Sequence, residues 1–369
     1  MSAVVFCLFT FSWLYFFQGY LFAVAQHMLS GGQTHYDRLI GASVITAVLW
    51  LLQLLVYFFV RLRNSLHVLT YIPSLLLLAF ICSVSSDDSQ HYGLGAWLWA
   101  LPLLLVLWGA ITWVARSLLQ FEAKGKRSFF SRSMWVNMIV MAIGIAAVVS
   151  VSNTNAVFYY RAHMEDSLLR NRLDEALNTG CKSLESDASL TMLRAYVLSQ
   201  RGELGGRLFE YAVSGTGADL VPLEGNHSRL LHYPVDSLYR HLGAVPRPGM
   251  TTADYLQALQ RSGQATPAVA DYVLCSLLID RNLDAFARTI SRYYQLSDSV
   301  SLPRHYREAL TLYTHQHAHP AVVYHHPVTE EDYANLQELK ASYPDSRQRK
   351  VKVLEDYFGS YWYYYEFMR

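Results

Sequence analysis

Every short motif that announces enzyme chemistry is missing from this chain: there is no GxSxG, Walker-type phosphate loop, GxGxxG, SxxK or HExxH. Only four cysteines occur and none form a CxxC pair, which excludes a zinc ribbon and a thioredoxin-like centre. The long apolar runs hold no aspartate, glutamate or lysine at mid-length, and inverted halves are not apparent. Both absences argue against transport by this chain alone. The net charge of +1 gives no field for polyanions, so no nucleic-acid partner is expected. The motif inventory therefore points away from an enzyme, and no cofactor is expected.

What the chain does have is apolar residues, unevenly spread. Hydrophobic types make up 52% of the 369 residues. Five long apolar runs precede residue 153: Val4–Leu29, Leu39–Val60, Leu66–Val84, Leu94–Leu119 and Met134–Val151. Each is long enough to span a bilayer. The first could be read as a signal peptide because of Ala23-Val24-Ala25, but it lacks a basic leader, which favours a retained helix. Polar interruptions are few: Gln18, Gln26, His27, Gln53 and Asn137. Loop charges then set the orientation. Arg61 and Arg63 fill one loop, and Arg116, Lys124, Lys126, Arg127 and Arg132 cluster around another, whereas the loop holding Asp87 and Asp88 has no base. The excess of Lys and Arg places the basic loops in the cytoplasm. Five spans then leave the N-terminus inside and everything after Asn153 outside.

From residue 154 onward the pattern becomes that of a water-soluble helical domain. Apolar positions recur at helical spacing through Leu168, Leu169, Leu173, Ala176 and Leu177, and again through Leu190, Leu193, Tyr196 and Leu198. The strings Arg172–Leu177, Glu203–Leu208 and Asn282–Phe286 echo one another as a turn followed by a short helix. The echo resembles the second helix of tetratricopeptide-type repeats. Residues 213–250 are rich in glycine and proline and interrupt the pattern, with a short helix expected at Val235–Leu242. Helices resume from Thr252, whose hydroxyl is the expected cap, then after Thr266-Pro267, over Leu283–Tyr294 and over Leu302–Gln316. Another opens at Thr329, and Val351–Phe367 forms the last. Within that last element Val351, Leu354, Phe358, Tyr361 and Tyr365 make one stripe, expected to face the stack.

Candidate sites are sparse. His315, His317, His319, His325 and His326 crowd one stretch and could present imidazoles to a metal ion, but a solvated loop is the better reading, because no acidic residue stands at ligand spacing. Tyr361, Trp362, Tyr363, Tyr364 and Tyr365 could dock the C-terminus on the helices, line a partner groove or touch the membrane–water interface. Asp87 and Asp88 could hold a metal or sugar-phosphate in a membrane enzyme, or simply solvate a loop. A disulfide between Cys181 and Cys275 is open if the domain is extracytoplasmic.

Three stretches carry a resemblance: Leu198-Ser199-Gln200-Arg201-Gly202-Glu203-Leu204 with Leu208–Tyr211, Leu302–Leu310, and Phe358-Gly359-Ser360-Tyr361-Trp362-Tyr363-Tyr364. The layout resembles a family of Bacteroidota polytopic membrane proteins of unknown function with a tetratricopeptide-like C-terminal domain. That resemblance implies a Gram-negative inner membrane with the helical domain in the periplasm, and it assigns no catalytic residue. The expected architecture is therefore all-α: a bundle of about five transmembrane helices at 1–153, then a periplasmic helical-repeat domain at 154–369. The expected role is a scaffold or accessory subunit, with the lipid bilayer and an envelope protein or peptide as partners. An enzyme or enzyme subunit acting on lipid-linked sugar and an accessory subunit of a transporter are the alternatives.

Overall fold

The computed structural model describes residues 1–60, 62, 64–83, 95–118, 132–296 and 302–368. Among these residues the regular structure is entirely helical, and it divides into two compact units, Met1–Tyr159 and Tyr160–Arg369.

In the first unit, α1 (Ser2–Ser12) runs into a π-type turn at Trp13–Phe17, and α2 (Gly19–Ser30) leaves at 71°. The expected continuous first span is thus broken at Gln18. Its ends are held by side-chain bonds: Tyr159 donates its hydroxyl to Gln18 Oε1 at 2.9 Å and to the Asn153 carbonyl at 3.0 Å. The Arg38 side chain packs closely on this bend, its Cδ 2.9 Å from where a Cβ on Gly19 would stand. The remaining elements are α3 (Arg38–Val60), a 3₁₀ segment at Asn64–Tyr71, α4 (Ile72–Cys82), α5 (Gly95–Leu118) and α6 (Arg132–Val151).

Among the described residues α3, α5 and α6 are each long and apolar enough to cross a membrane, and the bent α1–α2 pair makes a fourth if it counts as one span. Their outward faces are aliphatic and aromatic: Val48, Leu51 and Phe58 on α3, Trp99, Leu103 and Val106 on α5, Ile143 on α6. Apolar surface this extensive suits lipid and would aggregate in water. The third span, expected at Leu66–Val84, is met by a shorter apolar stretch, Leu66–Cys82.

The few polar residues of these helices grip the 3₁₀ segment. Asn137 Oδ1 accepts from the Val68 N–H at 3.0 Å, Gln53 donates to the Thr70 hydroxyl at 3.0 Å, and Trp108 Nε1 donates to the Leu69 carbonyl at 2.8 Å. Backbone that departs from α geometry in an apolar setting needs such partners. Helix contact is close here: a Cβ on Gly144 would stand 2.7 Å from Leu75 Cδ1.

The second unit begins with three helical hairpins. They pair α7 (Ala156–Leu169) with α8 (Leu173–Asn178), α9 (Ala188–Gln200) with α10 (Leu204–Arg207), and, beyond α11 (Val235–Leu242) and α12 (Thr252–Ser262), α13 (Ala268–Ile279) with α14 (Leu283–Ile290). All three share one turn. A left-handed residue, Asn171, Gly202 or Arg281, ends the first helix at φ 55°, 69° or 54°. The next amide then bonds five residues back: Arg172 to Ser167, Glu203 to Leu198, Asn282 to Leu277. This is the reverse turn that satisfies orphan carbonyls at a helix end. The echo among the three strings is therefore an echo of turn geometry.

The Gly/Pro-rich segment is a fitted wrap around these hairpins. Val213, Leu220, Val221 and Leu231 are buried. Glu165, fully buried on α7, accepts three successive N–H groups, from Leu231 at 2.9 Å and from His232 and Tyr233 at 2.7 Å. Arg194, also buried, donates to the carbonyls of Ala212 and Gly180 and lies over the Tyr211 ring.

Several expected boundaries move. Thr251 rather than Thr252 caps α12, because its hydroxyl reaches the Asp254 N–H. The helix after Asn282 stops at Ile290, and α15 (Arg304–Gln316) starts two residues inside the expected stretch. The helix expected from Thr329 is α16 (Pro327–Ser342), with His326 as its cap. The expected last helix is two, α17 (Ser346–Tyr357) and α18 (Tyr361–Phe367), parted at Gly359, whose φ of 87° suits glycine. That turn changes the register. Val353 is the buried residue of α17, and Val351 is 51% exposed, so the expected inward stripe does not continue across the junction.

Candidate functional site

A recess in the second unit lies between α15, α16, α17 and α18. It has a volume of about 430 Å³ and is lined by Arg304 and Glu308 of α15, Asp332 and Asn335 of α16, Asp356 and Tyr357 of α17, and Trp362 of α18. Asp332, Asn335 and Leu339 sit at helical spacing on one face of α16, which is why they share the wall.

Its floor is a buried hydrogen-bond relay. The Phe209 N–H donates to His305 Nε2 at 3.2 Å, so the imidazole proton sits on Nδ1 and is donated to Glu308 Oε2 at 3.0 Å. The same oxygen accepts the Tyr361 N–H at 2.7 Å, and Arg304 Nε donates to Oε1 at 2.8 Å. Trp362 Nε1 donates to the Glu308 carbonyl at 2.8 Å. His305 is 0% and Glu308 3% exposed. Burial pushes the Glu308 pKa up, but the His305 imidazole, the Arg304 guanidinium and the Tyr361 N–H together outweigh burial and hold it below the usual carboxylate range. Glu308 is therefore an ionised strut whose oxygens are committed, not a free base. The rim is different. Asp332 and Asp356 are exposed and carry no ion pair among the described residues. Burial and the charges of these two residues raise the Tyr357 phenol pKa.

The aromatic cluster that sequence offered as a partner groove turns inward. Tyr361, Trp362, Tyr363 and Tyr364 are 0–5% exposed. The Tyr361 hydroxyl donates to the Leu278 carbonyl at 3.2 Å and the Tyr364 hydroxyl to the Ile279 carbonyl at 2.7 Å. Phe209 packs against both rings, 5.0 and 4.7 Å away. These four rings pack into the second unit, as docking of the C-terminus requires, and Trp362 also lines the recess. Tyr365 is half-buried, with its hydroxyl 3.5 Å from Gln316 Oε1. Arg281 donates to the carbonyls of Tyr364 and Met368 and lies over the Tyr364 ring, and Lys340 bonds Glu366 at 2.6 Å, so α18 is tied at both flanks.

The five histidines are dispersed among separate tasks. His315 lies against the Tyr333 ring, His317 bonds the Tyr313 carbonyl and Asp284, and His319 is exposed. His325 meets Glu330, while His326 accepts from the Thr329 N–H and bonds Arg307. Among the described residues no three His, Cys, Asp or Glu side chains converge into a ligand set. Cys181 and Cys275 are unbridged; Cys275 is buried beside the Tyr306 hydroxyl, and burial raises its pKa well out of the thiolate range. Asp87, Asp88 and the bases Arg61, Arg63, Lys124, Lys126 and Arg127 lie outside the described residues. Sequence reasoning missed the recess. Its one local signal was the Arg304–Glu308 pair, four apart at the start of a helix whose next turns are apolar.

Fold and site together define an all-α protein with candidate membrane-spanning helices and a helical second unit that holds a polar recess. Residues 249–368, which contain the recess, match the model of a family described as a family of unknown function, DUF6057. Neither a curated protein nor a solved structure matches the chain.

Proposed function

We propose that this chain is a bacterial inner-membrane protein whose periplasmic helical domain binds an envelope protein or peptide at the α15–α18 recess. The observation that carries the reading is the contrast between floor and rim. The floor is rigid, because each Glu308 oxygen is already bonded to a wall element. The rim offers the Asp332 and Asp356 carboxylates, without an ion pair among the described residues, and the Asn335 amide, on α16 and α17. A preformed recess with free polar groups at its edge recognises a ligand at little cost in ordering. The stacked hairpins, which we read as degenerate tetratricopeptide-like repeats, supply the frame.

We read the periplasmic placement from five crossings, counting the shorter apolar stretch Leu66–Cys82 as one of them. The bent α1–α2 pair is taken as one interrupted crossing.

A photo-crosslinking residue at Asn335, in full-length protein extracted in mild detergent, tests the binding reading. A discrete crosslinked protein that disappears when Asp332 and Asp356 are both changed to Lys supports it. Co-purified polyprenyl lipid, with no protein crosslink, would replace it with the lipid-linked sugar reading.

A further inference from the structure

The outward face of α17 is the least explained surface of the second unit. Arg347, Lys350, Val351 and Leu354 fall at i, i+3, i+4 and i+7, so they share one face of the helix. Val353, the buried residue of α17, neighbours Lys350 at i+3 on the inward edge of that face. Val351 is 51% exposed, and Leu354 is half-buried. Among the described residues neither Arg347 nor Lys350 has a carboxylate partner for its side chain, whereas Lys352 is paired with Glu355 and Arg349 is bonded to the Tyr343 and Pro344 carbonyls. Asp356 turns to the recess. Two unpaired cations thus stand beside an aliphatic ridge.

We infer that this face of α17 docks on an anionic lipid surface. Charge complementarity selects the occupant: an ammonium and a guanidinium match phosphate headgroups, and their aliphatic stems can lie along the boundary while the heads stay in water. Val351 and Leu354 then enter the boundary between headgroup and acyl chain. The covalent link to apolar, membrane-type helices in the same chain keeps such a surface at high effective concentration, so a modest intrinsic affinity suffices. A peripheral contact of this kind is independent of the recess and of whatever the recess binds.

The test uses the full chain in lipid nanodiscs, read by hydrogen exchange of the α17 amides. Discs of phosphatidylcholine alone are compared with discs containing phosphatidylglycerol. The inference expects slower exchange over 347–354 in the anionic discs, by up to roughly thirty-fold, the combined weight of two surface cations. High salt should erase the difference by screening. The double variant Arg347→Glu with Lys350→Glu should exchange at the phosphatidylcholine rate in both discs, while α13 exchange stays unchanged and certifies the fold. Equal exchange in the two lipids, or protection that survives charge reversal, overturns the inference. Protection found only in native membranes, and not in protein-free anionic discs, also overturns it and assigns the face to an acidic protein.

Discussion

Single side chains of this protein act mostly as struts, and Glu308 is the most consequential. Changing Glu308 to Ala leaves the Tyr361 N–H, the His305 Nδ1–H and Arg304 without their acceptor inside the fold. Removing one partner of a buried ionic network typically costs about 3–5 kcal/mol. The melting temperature of the full chain in detergent should fall by many degrees, and calorimetry or intrinsic fluorescence would register it. The pH dependence has a definite sign. The folded carboxyl lies below its ordinary value, so its contribution is fully present above the unfolded pKa of about 4.3 and is lost as pH falls through the folded pKa. Glu308→Gln should flatten this acid-side part of the stability profile and leave the neutral-to-basic side unchanged in shape. An identical acid limb in both proteins would contradict the assignment. In the first unit, Asn137→Leu strands the Val68 N–H, at a cost of about 1–3 kcal/mol. Denaturant titration in detergent should show it as an earlier unfolding of the membrane unit.

At the scale of elements, α18 decides the integrity of the second unit. It buries four aromatic rings: Tyr361 and Tyr364 meet Leu278, Ile279 and Phe209, Trp362 bonds the Glu308 carbonyl, and Tyr363 packs on Phe358. A single buried large aromatic is typically worth about 3–5 kcal/mol, against a usual net stability of about 5–15 kcal/mol. Truncation before Tyr361 should therefore leave a chain that melts far lower or aggregates, and an unchanged melting temperature would contradict the packing. Arg281→Gly separates two effects at one position. It removes the unfavourable left-handed conformation, worth about 1–2 kcal/mol, but also the side chain that ties down α18. A net loss of stability would mean that the tie outweighs the strain. These elements also show what sequence could and could not reveal. Helical periodicity located α11 and most of α13, since both depend on local spacing. The stripe from Val351 through Tyr361 misled, because α17 buries Val353 in its place and the left-handed Gly359 parts α17 from α18 before Tyr361. The relay from Phe209 through His305 and Glu308 to Tyr361 was illegible, because its members are far apart in the chain and only the packing of α15 against its neighbours brings them together. The break at Gln18 was equally hidden, since it rests on Tyr159 and Asn153.

Taken whole, the molecule divides its chemistry by environment. The first unit exposes aliphatic and aromatic faces that suit lipid, and spends its few polar side chains on a non-α segment. The second buries carboxylates and guanidinium groups as fasteners and keeps free charge for its rim and for one helix face. We propose that a bundle of five crossings delivers the helical unit, with its recess, to the periplasm. Orientation of the C-terminus tests that claim most directly. A paired reporter, active as a phosphatase only in the periplasm and as a fluorescent protein only in the cytoplasm, is fused after Arg369 of the full chain. Phosphatase activity without fluorescence is the predicted result. Fluorescence without phosphatase activity would contradict the five-crossing arrangement and put the recess on the cytoplasmic side.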